Sequence, residues 1–174
     1  MEVTEKNPNS RNGFTLVELL VVISIIGVLA SIVMVSVNSV RASARMTRAK
    51  ADLQQIMKAI EIARDNSNAT LMEITSEDCS DCGPCRGAGD LRNIPDTHPC
   101  AATMNTQFQK LGLPRAPRDP WGAPYLIDEN EGEDVPCIPT RLDHIYSAGP
   151  DGIDEAESWT DAVLLRIPQF FPCS

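Results

Sequence analysis

Six cysteines are the residues of this chain whose spacing points most directly to chemistry. Two of them, Cys82 and Cys85, enclose a glycine and a proline in the segment CGPC. A Cys-X-X-Cys pair can exchange between dithiol and disulfide, or can supply two thiolates to a zinc ion. The pattern therefore raises three chemistries: thiol–disulfide exchange, zinc binding and structural cross-linking.

Thiol–disulfide exchange at Cys82 and Cys85 is the alternative enzyme hypothesis, with the protein as a membrane-anchored oxidoreductase. That chemistry needs a strand before the first cysteine and a helix behind it, whose N-terminus lowers the thiol pKa. Here Asp81 precedes the pair and RGAGD follows it. An acid raises the pKa of a neighbouring thiol, and two glycines disfavour a helix. The context therefore favours a non-enzymatic role.

Zinc and disulfides remain two alternatives for the local cysteines. A zinc site would draw four ligands from one segment: Cys79, Cys82, Cys85, and Cys100 or His98. In an exported domain disulfides are favoured, because the compartment is oxidising and a small core gains from cross-links. The preferred pairing joins Cys137 to Cys173 and leaves two local bridges among the other four: Cys79, Cys82, Cys85 and Cys100.

The first structural element that the sequence predicts is one long apolar run, GFTLVELLVVISIIGVLASIVMVSV, at residues 13–37. From Leu19 to Val37 it holds no charged residue. A helix over that stretch is roughly 28 Å long, close to the thickness of a bilayer's hydrocarbon core. The run can therefore span a membrane. Glu18 lies at its start, where a carboxylate needs a partner or a function.

A polar leader precedes this run and ends at Gly13, so a cut there would leave the apolar helix on the product. The arrangement resembles the class III signal of type IV prepilins and type II secretion pseudopilins. The resemblance implies cleavage by a membrane prepilin peptidase between Gly13 and Phe14, followed by methylation of the Phe14 amine. Glu18, the fifth residue of the product, would then pair with the positive amine of a neighbouring subunit and set the register of a filament.

Two later segments extend the resemblance. DPWGAPY at 119–125 and YSAGPDG at 146–152 are similar to stretches that flank a small antiparallel sheet in the major pseudopilins of type II secretion. That family implies a Ca²⁺ site in the loop after YSAGPDG. The ligands carried over are the Asp151 and Asp161 carboxylates and the Ala148 carbonyl. An acidic turn without an ion is the alternative, and a type IV pilus remains the alternative to a pseudopilus.

Apolar spacing predicts that the helix continues beyond the membrane run, from about Leu16 to Arg64. One narrow stripe recurs at alternating intervals of three and four: Ala42, Met46, Ala49, Leu53, Ile56, Ile60 and Ala63. Glycines and prolines indicate loops over 75–120, with one short helix near 101–111. Strands are predicted at 125–127, 142–147 and 162–167, and the acidic connector DENEGED at 128–134 is interpreted as a solvated hairpin turn.

A net charge of −9 argues against nucleic-acid binding, which needs basic surface to neutralise phosphates. One basic cluster follows the apolar run and suits a headgroup-facing helix surface: Arg41, Arg45, Arg48 and Lys50. The flank after the apolar run thus carries more positive charge than the leader, which has Lys6, Arg11 and the terminal amine. By the positive-inside rule, this difference favours the leader outside the cytoplasm. The prepilin resemblance implies the opposite orientation, which we adopt.

The predicted fold class is α+β, a long N-terminal α-helix packed on a small three-stranded antiparallel sheet. The organisation is a leader (1–13), a transmembrane or filament-core helix (14–39), its amphipathic continuation (40–66) and a globular domain (67–174). That domain comprises the Cys-rich loop (75–120) and a C-terminal sheet (121–174). We expect a single-pass protein of the inner membrane whose domain lies in the periplasm or at the cell surface. It would be a structural filament subunit and not an enzyme, with a peptidase, a platform protein, an ATPase and other pseudopilins as partners.

Overall fold

One helix dominates the N-terminal part of the computed structural model, which describes residues 13–77, 79–131, 141–154 and 162–171. Helix α1 runs from Leu16–Ser67 without a break. No proline interrupts it, and Asn68 adopts the left-handed conformation directly after its last residue. The predicted extent is therefore confirmed to within three residues at its C-terminal end.

The chain consists of two compact units, Met1–Ala42 and Ser43–Ser174. In the second unit, the predicted stripe forms one side of the hydrophobic core. Ala49, Leu53, Ile56 and Ile60 are each at most 3% exposed. Ala42 is exposed, so the stripe begins one helical turn later than its spacing suggested.

Two short helices follow α1. Helix α2, Leu71–Thr75, begins with a capping box between Thr70 and Glu73 and was not predicted, because five residues are too few to show periodicity. Helix α3, Pro99–Lys110, confirms the predicted helix in the loop-rich region. Its proline stands in the first turn, where no N–H is needed, and His98 caps it.

Three strands form one antiparallel sheet in the order β1-β2-β3: β1 Leu126–Asp128, β2 Asp143–Ser147 and β3 Val163–Ile167. All three predicted strands are confirmed. Ile127 pairs with Ile145, which in turn pairs with Leu165. Because side chains alternate along a strand, this register divides the sheet into two faces.

The face that carries Ile127 and Ile145 is directed toward α1. The Tyr125 hydroxyl, on the same side just before β1, contacts Asp52 of α1 at 3.1 Å. Asp143, also on this face, forms an ion pair with Arg64 at 3.4 Å. The opposite face carries Tyr146 and Asp128, and the Cys-rich segment reaches it through Asp81. The predicted α+β class is confirmed.

Candidate functional site

The processing segment lies at the start of α1, where Phe14 is 85% exposed. Thr15 and Glu18 form a reciprocal cap at this end. The Glu18 carboxylate accepts the Thr15 N–H at 2.9 Å and its hydroxyl at 2.7 Å, and the Thr15 hydroxyl accepts the Glu18 N–H at 3.3 Å. Glu18 therefore has a local structural role in a single chain, and its partner Thr15 is the residue next to the Phe14 amine that cleavage after Gly13 would create.

Among the side chains that the structure describes, those of the apolar part of α1 make no buried contact. The side chains described from Leu16 to Met34 are all exposed, and soluble proteins rarely expose leucines, isoleucines and valines in one contiguous surface of this size. This helix is the one element among the described residues that is long and apolar enough to cross a membrane. Together with the N-terminal motif, it makes α1 a membrane anchor.

The cysteines of the Cys-rich segment form two disulfides, Cys79–Cys82 and Cys85–Cys100, with Cα separations of 5.3 and 4.6 Å. Cys82 and Cys85 thus belong to different bridges, so CGPC is not one redox pair. Neither bridge leaves the thiolates that the zinc alternative needs. The predicted partners Cys137 and Cys173 lie outside the described residues, and their pairing stays a prediction.

Asp119 joins the two sequence motifs of the resemblance. Its Oδ1 accepts the backbone N–H groups of Trp121, Gly122 and Ala123 at 2.8 to 2.9 Å. Its Oδ2 accepts the Ser147 hydroxyl, which ties DPWGAPY to the end of β2. Burial raises the pKa of Asp119, and these hydrogen bonds oppose that rise. The first motif is therefore a carboxylate-centred turn with a structural role.

The second motif, YSAGPDG, requires a glycine at position 152. Its φ is +73°, and a Cβ there would stand 2.5 Å from the Asp90 carboxylate. The close approach lets the Leu91 N–H donate to the Gly152 carbonyl at 2.8 Å, and Arg92 donate to the Pro150 carbonyl at 2.7 Å. The Cys-rich segment is thereby fastened to YSAGPDG.

The expected calcium loop is described only in part. Asp151 accepts the Ile153 N–H at 3.0 Å, and Ala148 is buried. Asp161 lies outside the described residues. One carboxylate and one carbonyl suit a hard cation but fall short of the six to eight oxygens that Ca²⁺ takes, and Arg92 places positive charge beside the loop. The loop site therefore stays a prediction.

The acidic connector after β1 is not a solvated turn in the residues that are described. Glu129 is 0% exposed and accepts the Ser80 N–H and hydroxyl at 2.8 and 2.6 Å. Burial raises its pKa to about 7. Glu131 is 3% exposed and pairs with Arg64. The sequence analysis did not predict the burial of Glu129 and Glu131, because their partners Ser80 and Arg64 are distant in sequence.

A group of buried acidic side chains lies against the face of the sheet opposite α1, around Tyr146. The Tyr146 hydroxyl contacts Asp154 Oδ1 at 2.9 Å and also contacts Asp81 Oδ2. Arg86 pairs with the same Asp81 oxygen at 3.1 Å. Burial, and then the charge of Asp81, raises the pKa of Asp154 to about 6. Sequence reasoning missed this group, and only the neighbouring CGPC segment drew attention to Asp81.

Comparisons with known proteins agree with these features. Residues 8–34 match the family model described as the prokaryotic N-terminal methylation motif. The chain is 31% identical to type II secretion system core protein G of Escherichia coli K12, over 87% of this chain and 88% of that protein. The corresponding protein of Klebsiella pneumoniae is 30% identical, over 86% and 95%. That of Pseudomonas aeruginosa is 31% identical, over 82% and 85%.

No solved structure matches the chain. The similarity to these relatives covers the apolar helix and the globular unit alike, and it gives no support to the oxidoreductase alternative. The chain therefore belongs to the family of type II secretion system core protein G, the major pseudopilins.

Proposed function

We propose that this protein is the structural subunit of a type II secretion pseudopilus. The observation that carries the proposal is the combination of a methylation motif over residues 8–34 with family similarity over most of the chain. The apolar half of α1, uncovered in a single chain, is a surface that lipid covers before assembly and neighbouring helices cover afterwards. A pseudopilus is favoured over a long surface pilus because the relatives are components of type II secretion systems.

The proposed sequence of events starts with the leader. A prepilin peptidase cuts after Gly13 and methylates the Phe14 amine. The product stays in the inner membrane through α1, with its globular unit outside the cytoplasm. A platform protein and an assembly ATPase then move it into a filament with other pseudopilins, and the role assigned to the chain is mechanical.

We keep Ca²⁺ as part of this proposal. Asp151, Asp161 and the Ala148 carbonyl would hold it in the loop between β2 and β3. A bound ion there would offset the repulsion among the loop's acids and tie β3 to the sheet.

Processing tests the proposal directly. Replacing Gly13 with leucine should block cleavage, because the peptidase must accept the residue at the cut. Co-expression with a prepilin peptidase, followed by mass spectrometry, distinguishes the full chain from residues 14–174 with a methylated amine. Gly27→Leu is the matched control, since Gly27 lies within α1, away from the cut, and has open space around an added Cβ as Gly13 does. Normal processing of the Gly13 variant, or no methylated Phe14 in the parent, would exclude the proposed maturation.

A further inference from the structure

Four side chains with metal-binding atoms meet where the Cys-rich segment approaches the end of β1. Cys79, Asp81 and Cys82 belong to one turn of that segment, and Asp128 is the last residue of β1. One possible ligand atom from each of the four residues lies within 4.8 Å of the others. Ligand atoms around a tetrahedral zinc ion stand roughly 3.3 to 3.8 Å apart, as follows from metal–ligand lengths of about 2.0 to 2.3 Å. A small shift of these side chains would therefore place one ion between them.

The Asp81 carboxylate is held in an orientation that suits a ligand. It is 0% exposed, and its Oδ2 accepts a hydrogen bond from Arg86 at 3.1 Å and another from the Tyr146 hydroxyl. Its Oδ1 lies 3.1 Å from Cys79 Sγ. Metal-binding carboxylates are commonly fixed by hydrogen bonds from an outer layer of partners. One oxygen of Asp81 is thus anchored, and the other faces the sulfur.

Asp128 approaches the same turn from the sheet. Its side chain is 13% exposed, and His144 Nδ1 lies 3.8 Å from its Oδ2. The strand register pairs Asp128 with His144, so both side chains lie on the same face of the sheet. The second carboxylate therefore also has a neighbour that can orient it.

Of the two described disulfides, Cys79–Cys82 is the one that an external reductant can reach. Cys82 is exposed and Cys79 is half-buried, whereas Cys85 and Cys100 are both 0% exposed. Arg86 Nη2 lies 3.9 Å from Cys79 Sγ. A guanidinium beside a sulfur stabilises its thiolate, so Cys79 is a good leaving group when an external thiol attacks Cys82.

We propose that reduction by an external dithiol converts the Cys79–Cys82 bridge into part of a zinc site, which Asp81 and Asp128 complete. Attack on Cys82 Sγ breaks the disulfide, releases the Cys79 thiolate and forms a mixed disulfide. The second thiol of the reductant then releases the Cys82 thiolate. The reductant leaves as a disulfide and supplies both electrons, and Zn²⁺ takes the place of the two protons that the cysteines would otherwise bind.

The set of ligand atoms selects zinc over other ions. Two thiolates and two carboxylates are ligands that zinc takes, and Cys79 and Cys82 have the Cys-X-X-Cys spacing of structural zinc sites. Ca²⁺ takes oxygen ligands only, and Cu(I) would use the two sulfurs without the carboxylates. The set differs from the one that cysteine spacing suggested, because the Cys85–Cys100 bridge stays intact. A bound zinc ion would replace the broken bond and would also fasten the segment to β1 through Asp128.

Zinc counting on the full-length protein in detergent tests the proposal. The protein is treated with dithiothreitol without denaturant, the reductant is removed by gel filtration under nitrogen, and ZnCl₂ alone is titrated. Alkylation and peptide mapping should show Cys79 and Cys82 as thiols, with Cys85 and Cys100 still bridged. Native mass spectrometry should find one more zinc ion per chain in the reduced protein than in the oxidised protein.

Variants identify the ligands. Cys82→Ser should abolish the additional zinc ion, and serine at this exposed position leaves the core intact. Asp128→Asn should raise the Kd by at least about 10-fold, which is the loss that even an outer partner of a metal site causes. Asp65→Asn, on the exposed face of α1, and Asp151→Asn, in the expected calcium loop, are the controls and should leave the Kd unchanged.

X-ray absorption of the zinc-loaded parent provides a readout that needs no variant, and it should show two sulfur and two oxygen ligands. A reduced parent that binds no additional zinc, or an additional ion that survives Cys82→Ser, would overturn the proposal. An unchanged Kd in Asp128→Asn would also overturn it, because the ion would then be held without that carboxylate. Four sulfur ligands, or reduction of Cys85–Cys100 under the same conditions, would assign the zinc to a different set of cysteines and reject this site.

Discussion

Glu18 illustrates how one side chain can serve two roles at different stages of assembly. In the single chain its carboxylate caps α1 through Thr15. In a filament, the same carboxylate would face the Phe14 amine of a neighbouring subunit. Opposite charges about 4 Å apart gain roughly 4 kcal/mol at an effective dielectric near 20, before desolvation is counted. An N-terminal cap contributes about 1 kcal/mol, so the charge pair stabilises more than the cap wherever desolvation costs less than about 3 kcal/mol.

We therefore predict that Glu18→Gln and Glu18→Ala both impair filament assembly while the subunit stays in the membrane. Glutamine preserves the acceptor that caps Thr15 but carries no charge, so the two variants separate capping from pairing. Fractionation gives the membrane level, and yield of sheared filaments gives assembly. Glu61→Gln, on the exposed face of α1, is the control. Full assembly of the glutamine variant would contradict the charge-pair role, and if the alanine variant were impaired at the same time, assembly would require the cap instead.

At the scale of elements, the two disulfides differ in what they constrain. Cys85 and Cys100 are both 0% exposed, and their bridge links the CGPC segment to the first turn of α3 across a separation of 15 residues. The Cys79–Cys82 bridge spans a separation of 3, and Cys82 is exposed. The first bridge closes a much longer loop of the unfolded chain, and the second closes a local turn.

This difference leads to a stability prediction. Replacing Cys85 and Cys100 with alanine should lower the free energy of unfolding by at least about 3 kcal/mol, from loop entropy alone. The same change at Cys79 and Cys82 should cost about 2 kcal/mol, because the loop is short. Urea unfolding of the full-length protein in detergent, with chelator present and tryptophan fluorescence as the signal, measures both. Equal losses, or a larger loss at Cys79 and Cys82, would contradict this account.

At the scale of the whole molecule, Arg64 connects distant parts of the globular unit. It is 3% exposed and pairs with Glu131 and Asp143, and its guanidinium donates to the Pro168 carbonyl at 3.0 Å. Glu131 also accepts the backbone N–H groups of Phe170 and Phe171. The end of α1, the start of β2 and the segment after β3 thus meet at one buried cation.

Arg64→Met should destabilise the protein by about 3 to 5 kcal/mol, because two carboxylates would remain buried without their partner. Combining it with Glu131→Gln and Asp143→Asn removes those charges and should recover part of the loss. Arg48→Met is the matched control, since Arg48 is exposed and its ion pair with the partly exposed Asp52 contributes less than about 1 kcal/mol. Urea unfolding as above provides the measurement. A triple variant no more stable than Arg64→Met would show that charge burial is not the cause.

Much of the architecture follows from local sequence patterns. The apolar run, the stripe from Ala49 to Ile60 and the three short strands were all predictable, because helical and strand periodicities are properties of neighbouring residues. The leader motif at Gly13 and the paired turn motifs were likewise sufficient to indicate the family. The five residues of α2 were missed because a single turn has no period.

The sequence alone thus determined a long apolar-then-amphipathic helix, a small antiparallel sheet and membership of the pseudopilin family. Tertiary structure decided the cysteine partners, the burial of Glu129 and Glu131, and the convergence of Asp81 and Asp154 on Tyr146. The physical reason is that a buried charge or a disulfide is defined by its partner, and these partners lie 15 to 73 positions away in the chain for Cys85–Cys100 and Asp81–Asp154. Local pattern carries no information on such pairs until packing brings them together.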